Sequence, residues 1–305
     1  VSDLRSAAKP DILLAFEKIP GADFYYAADP ATASRGLDFL SWLPRRHSTS
    51  AAEHGVFGKA ARSRVFFLTA RQRDDYTALY DFDPRRSILL PLVLHDDRYE
   101  AALSPPDRIQ IRKQLGLPAE GIIAVSVAVK PQQKGIDRTL AALAAHPELH
   151  LVIVGSSDKW LKRQVRALKL QGRVYIVPYV SDVMNLMFGT DFMVHPARIE
   201  AAGQVIGEAL LAGCPAIVSE NCGYSSEVHR SGAGIVLPEP FSQAGLIDAI
   251  SRMMKDLPAL RRAAAAESLR QRKQSGRWLS VIAQELGKFE ERDLIRRSSP
   301  KVIGR

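Results

Sequence analysis

The chain has 305 residues, 46% of them hydrophobic and 25% charged, which is room for one large or two medium globular domains. A net charge of +9 favours anionic partners such as phosphates, nucleic acid or an acidic membrane surface, or else a solvated surface rich in Lys and Arg. The two cysteines, Cys214 and Cys222, have neither CxxC nor zinc spacing, which argues against a disulfide framework or a Cys/His metal site and for reduced thiols.

The N-terminal stretch VSDLRSAAKPD is charged and lacks the apolar core of a signal peptide, so a cytoplasmic location is expected. No apolar run reaches the roughly 18 residues of a membrane span. Runs at 11–16, 64–70 and 87–94 read as strands with both faces apolar, as in a buried parallel sheet, with a polar helix at 71–82. The polar stretch HDDRYEAALSPPDR, with Pro105-Pro106, reads as a break, and residues 1–104 as a first domain. Strands at 121–129, 149–155, 173–180, 191–197 and 214–219 then alternate with helices at 135–146, 159–170, 183–190 and 203–213, and a last helix covers about 241–254. That rhythm predicts a doubly wound α/β domain over 105–265. Charged helices are expected at 266–290, packing back toward the first domain, and a disordered tail at 291–305.

Within ARIEAAGQVIGEALLAGCPAIVS, Glu200 and Glu208 stand eight residues apart, around small residues and Gly203. Residues 199–203 form the loop after a strand, at the edge where α/β sheets bind ligands. The helix that follows offers free N–H groups and a positive dipole end, and small residues let a phosphate approach. Glu208, about one and a half turns into that helix, can accept from hydroxyls near the same mouth. Glu200 can accept from a second group. The spacing suits a diphosphate flanked by two hydroxyl-bearing rings, a nucleotide sugar. The plainer reading is a capped helix with Glu208 on a solvated face.

These residues carry a resemblance. The stretch EAAGQVIGEALLAGCPAIVSENCGY is similar to the Glu-x7-Glu region of the family-4 retaining glycosyltransferases. FEKIPGADFYYAAD, QKGIDRTLAAL, SDVMNLM, HPARIEAAG and PEPFSQ resemble, in order, the branch that transfers glucose to the inner core of lipopolysaccharide. The resemblance runs from about residue 10 to 285. It implies a GT-B fold of two Rossmann-like domains, with the N-terminal one truncated because this chain starts at the strand DILLAF. It implies transfer of a hexose, glucose from UDP-glucose, to a lipid-linked saccharide acceptor, with no cofactor and no metal. Lys134 and Glu200 become the catalytic candidates. Gln133, Lys134, Tyr179, Val180, Glu200, Ala202, Gly203, Gln204, Val205 and Glu208 become the donor-binding set. Glu208 is expected on the ribose hydroxyls, Glu200 on the sugar hydroxyls, and Lys134 on the leaving diphosphate. The backbone of 202–205 is expected on the diphosphate and sugar, and Tyr179 and Val180 near the base.

Departures from the family pattern point to an alternative, a catalytically weak homologue that binds a nucleotide sugar or membrane. Gln133 stands where the family has Arg, which removes a charge-assisted phosphate contact. Ala128-Val129 replaces a strand-end glycine, and Pro91-Leu92-Val93 a Pro-Pro-Gly turn. The segment 36–48, with Phe39, Leu40, Trp42 and Leu43 beside Arg45, Arg46 and His47, reads either as a patch for the anionic inner face of the inner membrane or as a packed helix with a basic end. The basic helix at 159–170 reads as a solvated outer helix, and no nucleic-acid partner is expected. His195 reads as structural.

Overall fold

The computed structural model describes residues 12–31, 44–180 and 182–298. The chain divides into two compact units, Val1–Val93 with Gly276–Arg305, and Leu94–Ser275. The segment 36–48 falls largely outside the described residues, so its two readings stand as expectations.

The first unit holds a parallel sheet in the order β1 (Leu14–Ala15), β2 (Phe24–Ala27), β3 (Arg64–Phe67) and β4 (Ser87–Leu89). Tyr25 sits opposite Val65 in the β2–β3 register. Strand β2 is absent from the sequence-based reading. Its four residues follow a Gly-Ala-Asp turn and show no alternation, because both faces are covered. Helices α1 (Pro44–Phe57) and α2 (Ala70–Tyr80) contribute to a core of aromatic rings. Phe57 stacks on Tyr76 with centroids 3.8 Å apart and meets Tyr25 edge-on at 5.6 Å. The buried Glu53 of α1 keeps its charge matched by Lys18 at 2.5 Å, and the Tyr80 hydroxyl donates to it.

The second unit contains a six-stranded parallel sheet in the order β10-β9-β8-β5-β6-β7. Its strands are β5 (Ile122–Val127), β6 (Leu149–Val154), β7 (Val174–Val177), β8 (Phe192–His195), β9 (Ala216–Ser219) and β10 (Gly234–Leu237). Strands β8 and β9 are buried at every position, which is why the sequence shows continuous apolar runs there. The order runs outward in both directions from the β5–β8 pair, where Ala124 faces Phe192. Crossovers leave that pair in opposite directions, which makes the edge beyond it the switch-point crevice of the sheet.

Helices α3 (Asp96–Leu103) and α4 (Arg108–Gln114) precede β5. Helices α5 (Ile136–Ala144), α6 (Lys159–Ala167), α7 (Val183–Gly189), α8 (Gln204–Leu211) and α9 (Ser225–Ser231) join the strands. Helices α10 (Gln243–Lys255) and α11 (Leu257–Arg272) follow β10. Along α5, Ile136, Thr139, Leu140 and Leu143 share one buried face at helical spacing. Truncating Leu140, which is fully buried, to Ala costs about 2–5 kcal/mol.

Residues 96–103 of the stretch read as a break form α3, residues 104–107 stay outside any helix, and the two units divide at Val93 and Leu94. The helicity of α3 has local causes. Asp96 and Asp97 lie in the first turn, where the dipole favours them, and Tyr99 and Ala102 bury one face.

Asp191 ties the opposite end of this sheet together. Its carboxylate accepts from Arg108 Nη2 (2.6 Å), Arg112 Nη2 (2.8 Å), Arg261 Nη2 (2.9 Å) and the Ile123 backbone N–H (2.8 Å). Those contacts join α4, α11 and β5 to the start of β8.

The tail expected to be disordered over 291–305 is helical through Ser298, as part of α12 (Arg277–Ser298). The sequence EERDLIRR is free of Gly and Pro, so helix propensity carries the helix onward; residues 299–305 lie outside the described set. Helix α12 belongs to the first unit, where Phe289 meets Phe24 edge-on at 5.2 Å and Glu285 pairs with Arg64 at 2.7 Å. No helix among the described residues is long and apolar enough to cross a membrane.

Candidate active site

The crevice at the β5–β8 switch point collects most of the expected residues. The loop after β5 carries Gln133, Lys134 and Gly135, and the loop after β8 carries Glu200, Ala202 and Gly203. The two loops touch through glycine. Gly135 has φ +71°, and a Cβ there would lie 2.1 Å from the Pro196 carbonyl oxygen, so only glycine lets them close. Lys134 and Glu200 thereby come within ion-pair contact.

The same Glu200 oxygen faces His195 Nε2 at 3.0 Å. His195 is buried at the end of β8. Burial alone would raise the Glu200 carboxyl. The His195 hydrogen bond and charge, followed by Lys134, outweigh it and hold the group at about 2. Glu200 is therefore an ionised acceptor near neutral pH. Its other oxygen carries no bond to His195 or Lys134 and remains able to take a hydroxyl.

Helix α8 starts from Gly203, whose φ of +80° sets a left-handed cap without a side-chain bond. Its first N–H groups have no acceptor within the helix. Ala202 is buried, with its carbonyl accepting from Tyr224 N at 2.7 Å, while Gln204 is exposed and Val205 half-buried. The start of α8 thus follows three residues after Glu200, the partner of Lys134, an arrangement that can accept an anionic group.

Glu208 lies on α8 and is mostly buried, not on a solvated face as the plainer reading supposes. Arg98 of α3 approaches its Oε1 with Nε at 3.0 Å and reaches Asp182 with Nη1 at 3.2 Å. Burial pushes the Glu208 carboxyl up. Arg98 opposes this, and Asp97 and Asp182 add to it, so the net direction is upward. Tyr179 stands 79% exposed in the loop after β7, where an aromatic face is open to a ligand, with Val180 half-buried beside it. Gln133 is exposed, and its carbonyl accepts from the Arg198 backbone N–H at 2.8 Å.

The family model described as "Glycosyl transferases group 1" matches residues 107–271. The chain belongs to this glycosyltransferase family. The lipopolysaccharide glucosyltransferase WaaG of Escherichia coli (strain K12) is 33% identical over 270 residues, covering 85% of this chain and 72% of that protein. The crystal structure of WaaG, described as a glycosyltransferase involved in lipopolysaccharide biosynthesis, matches with TM-score 0.78 and 28% identity, over 90% of this chain and 75% of that one. The Anabaena protein Alr3699/HepE, solved in complex with UDP and glucose, matches with TM-score 0.68 and 20% identity, over 88% of this chain and 78% of that one. That last likeness is one of fold. The two parallel-sheet α/β units of this glycosyltransferase are those of the GT-B fold.

Two residues of the site escape the sequence reading of this glycosyltransferase. Arg98 sits in the stretch read as linker, 110 residues before Glu208, and no spacing pattern links them. His195 is present in the quoted motif HPARIEAAG, but its bond to Glu200 needs the turn of the loop after β8. The pair Asp96-Asp97, inside the stretch read as a break, forms the first turn of α3, and Asp97 lies close enough to Glu208 to disfavour its charge.

Proposed function

We propose that this group 1 glycosyltransferase is a retaining, family-4 hexosyltransferase that moves glucose from UDP-glucose to a lipopolysaccharide core or a related glycolipid. The observation that carries the reading is the Lys134–Glu200 pair set against the open start of α8 at the sheet's switch point. WaaG, named as a lipopolysaccharide glucosyltransferase, supports the choice of donor and acceptor.

In this reading Lys134 leaves Glu200 for the diphosphate, and the backbone N–H groups of 203–205 share the developing negative charge. Glu200 then accepts from sugar hydroxyls and Glu208 from the ribose, with the base near Tyr179 and Val180. The anomeric C–O bond to phosphate breaks as the acceptor oxygen attacks from the same face. The acceptor proton passes to the departing phosphate oxygen, so no protein base and no metal are required. A lipid-linked acceptor places the work at the cytoplasmic face of a membrane. One observation favours the weaker, binding-only alternative: Gln133 supplies no second cation beside Lys134.

A thermal-shift titration with UDP-glucose, UDP and GDP-mannose tests the donor reading. A ligand at about 100 times its Kd adds roughly 2.7 kcal/mol, a rise of about 5–11 °C for domains of this size. The expected result is a uridine-selective rise that disappears in Glu208→Ala, followed by transfer to a lipopolysaccharide-core acceptor. No rise with any nucleotide would overturn the reading, and a rise without transfer would leave the binding-only alternative.

A further inference from the structure

A cavity of about 420 Å³ lies beside the Lys134–Glu200 pair, lined by Gln132, Gln133, Asp137, Trp160, Arg198 and Ile199. That size falls among small-molecule sites. Two of the lining residues, Gln133 and Ile199, immediately precede Lys134 and Glu200 in sequence. The cavity is therefore a neighbour of the donor crevice, built by the same two loops and by the first turns of α5 and α6.

Its frame is fixed in advance. Arg198 Nη1 donates to the Gln132 carbonyl at 2.7 Å, and the Arg198 backbone N–H donates to the Gln133 carbonyl at 2.8 Å. The guanidinium forks onto Asp137, with Nη1 to Oδ1 at 2.7 Å and Nη2 to Oδ2 at 2.6 Å. Asn221 Nδ2 holds the Arg198 carbonyl at 2.9 Å. Burial disfavours the Asp137 charge, but Arg198 and the helix-start N–H groups more than offset it, so both partners stay ionised.

The wall chemistry selects among ligands. The six lining residues carry one positive and one negative charge, already paired, so the cavity has no net attraction for phosphate. The side-chain amides of Gln132 and Gln133 are exposed and unbonded within the described protein, leaving donors and acceptors free for hydroxyls. Trp160 is half-buried and supplies a flat apolar face, with Ile199 as a second apolar surface. An apolar face flanked by neutral donors and acceptors matches a pyranose ring, which has C–H bonds on its faces and hydroxyls around its rim.

We propose that this cavity is a saccharide subsite for an uncharged pyranose ring of the acceptor, separate from the ring being transferred. The assignment to the acceptor rests on the glycosyltransferase reading above; the carbohydrate chemistry rests on the wall alone. Gln133 then has a role that the family arginine would not fill, because a cation there would leave the wall with a net charge.

The test is saturation-transfer NMR on the full chain with methyl α-D-glucopyranoside and methyl α-D-mannopyranoside, with and without saturating UDP-glucose. Transfer to ring C–H protons of at least one glycoside is expected, persisting when UDP-glucose is bound. Trp160→Ala should weaken it about tenfold, and the exposed Gln132→Ala, which leaves the core untouched, by several-fold. No transfer from either glycoside, displacement by UDP-glucose, or unchanged binding in both variants would each overturn the proposal. The UDP-glucose thermal shift is read on the same samples and reports separately on the donor site.

Discussion

Glu200 and Glu208 flank the start of one helix, and both are largely buried, yet their surroundings push them in opposite directions. Around Glu200, His195 and Lys134 converge on a single carboxylate oxygen and overcome burial. Around Glu208, Arg98 is shared with Asp182, and Asp97 stands nearby, so one cation serves several acids and burial prevails. Burial alone does not set the state of an acid; the ratio of cations to acids within contact does. Near the start of α8 the site keeps a firm anion. One and a half turns on, it keeps an acid whose charge is held loosely, a suitable partner for neutral hydroxyls.

Removing Lys134 breaks the comparison most severely. Lys134→Ala takes away the group assigned to the leaving diphosphate, and transfer should fall by about 10²–10³-fold, measured as initial rate at saturating donor. An unchanged rate would show that α8 alone carries that charge.

Glu200→Gln comes next, read by stability against pH. Because the folded-state value is about 2, below the ordinary 4.5, the Glu200 charge contributes stability that is fully present above pH 4.5 and lost as pH falls toward 2. The variant should be destabilised by about 2–3 kcal/mol at neutral pH in denaturant titrations, with the gap closing below that window. A constant gap across the range would refute the charged pairing.

Glu208→Gln should show the smaller effect and the opposite sign. A raised carboxyl contributes stability below its ordinary value of 4.5 and loses it as pH rises through its folded-state value. At neutral pH the variant should equal or slightly exceed the parent in midpoint denaturant, while its UDP affinity drops. Destabilisation beyond about 1 kcal/mol would mean that Arg98 outweighs burial after all.

How much was legible before the structure follows from where the information sits. Strands β5, β6, β8 and β9 announce themselves as apolar runs, and α8 by its small-residue start, because local composition fixes them. Strand β2 and helix α3 do not. Four residues buried on both faces show no alternation, and α3 hides its two buried positions among Asp, Arg and Glu. The expected site residues Lys134, Glu200, Ala202 and Gly203 meet at one crevice because the β5–β8 switch point brings their loops together. Arg98 was illegible because an ion pair across 110 residues leaves no trace in spacing.

The Asp191 cluster has a dynamic consequence. One carboxylate closes contacts to Arg108, Arg112 and Arg261, at separations of 83, 79 and 70 residues, and also fixes the amide of Ile123. Opening that end of the sheet would strand three guanidinium groups at once, so it should yield only on global unfolding. The crevice end is tied by contacts nearer the surface, the Arg198–Asp137 pair and the close approach at Gly135 among them. Amide exchange should therefore be graded along each central strand of the second unit, slowest at the Asp191 end and fastest at the crevice end.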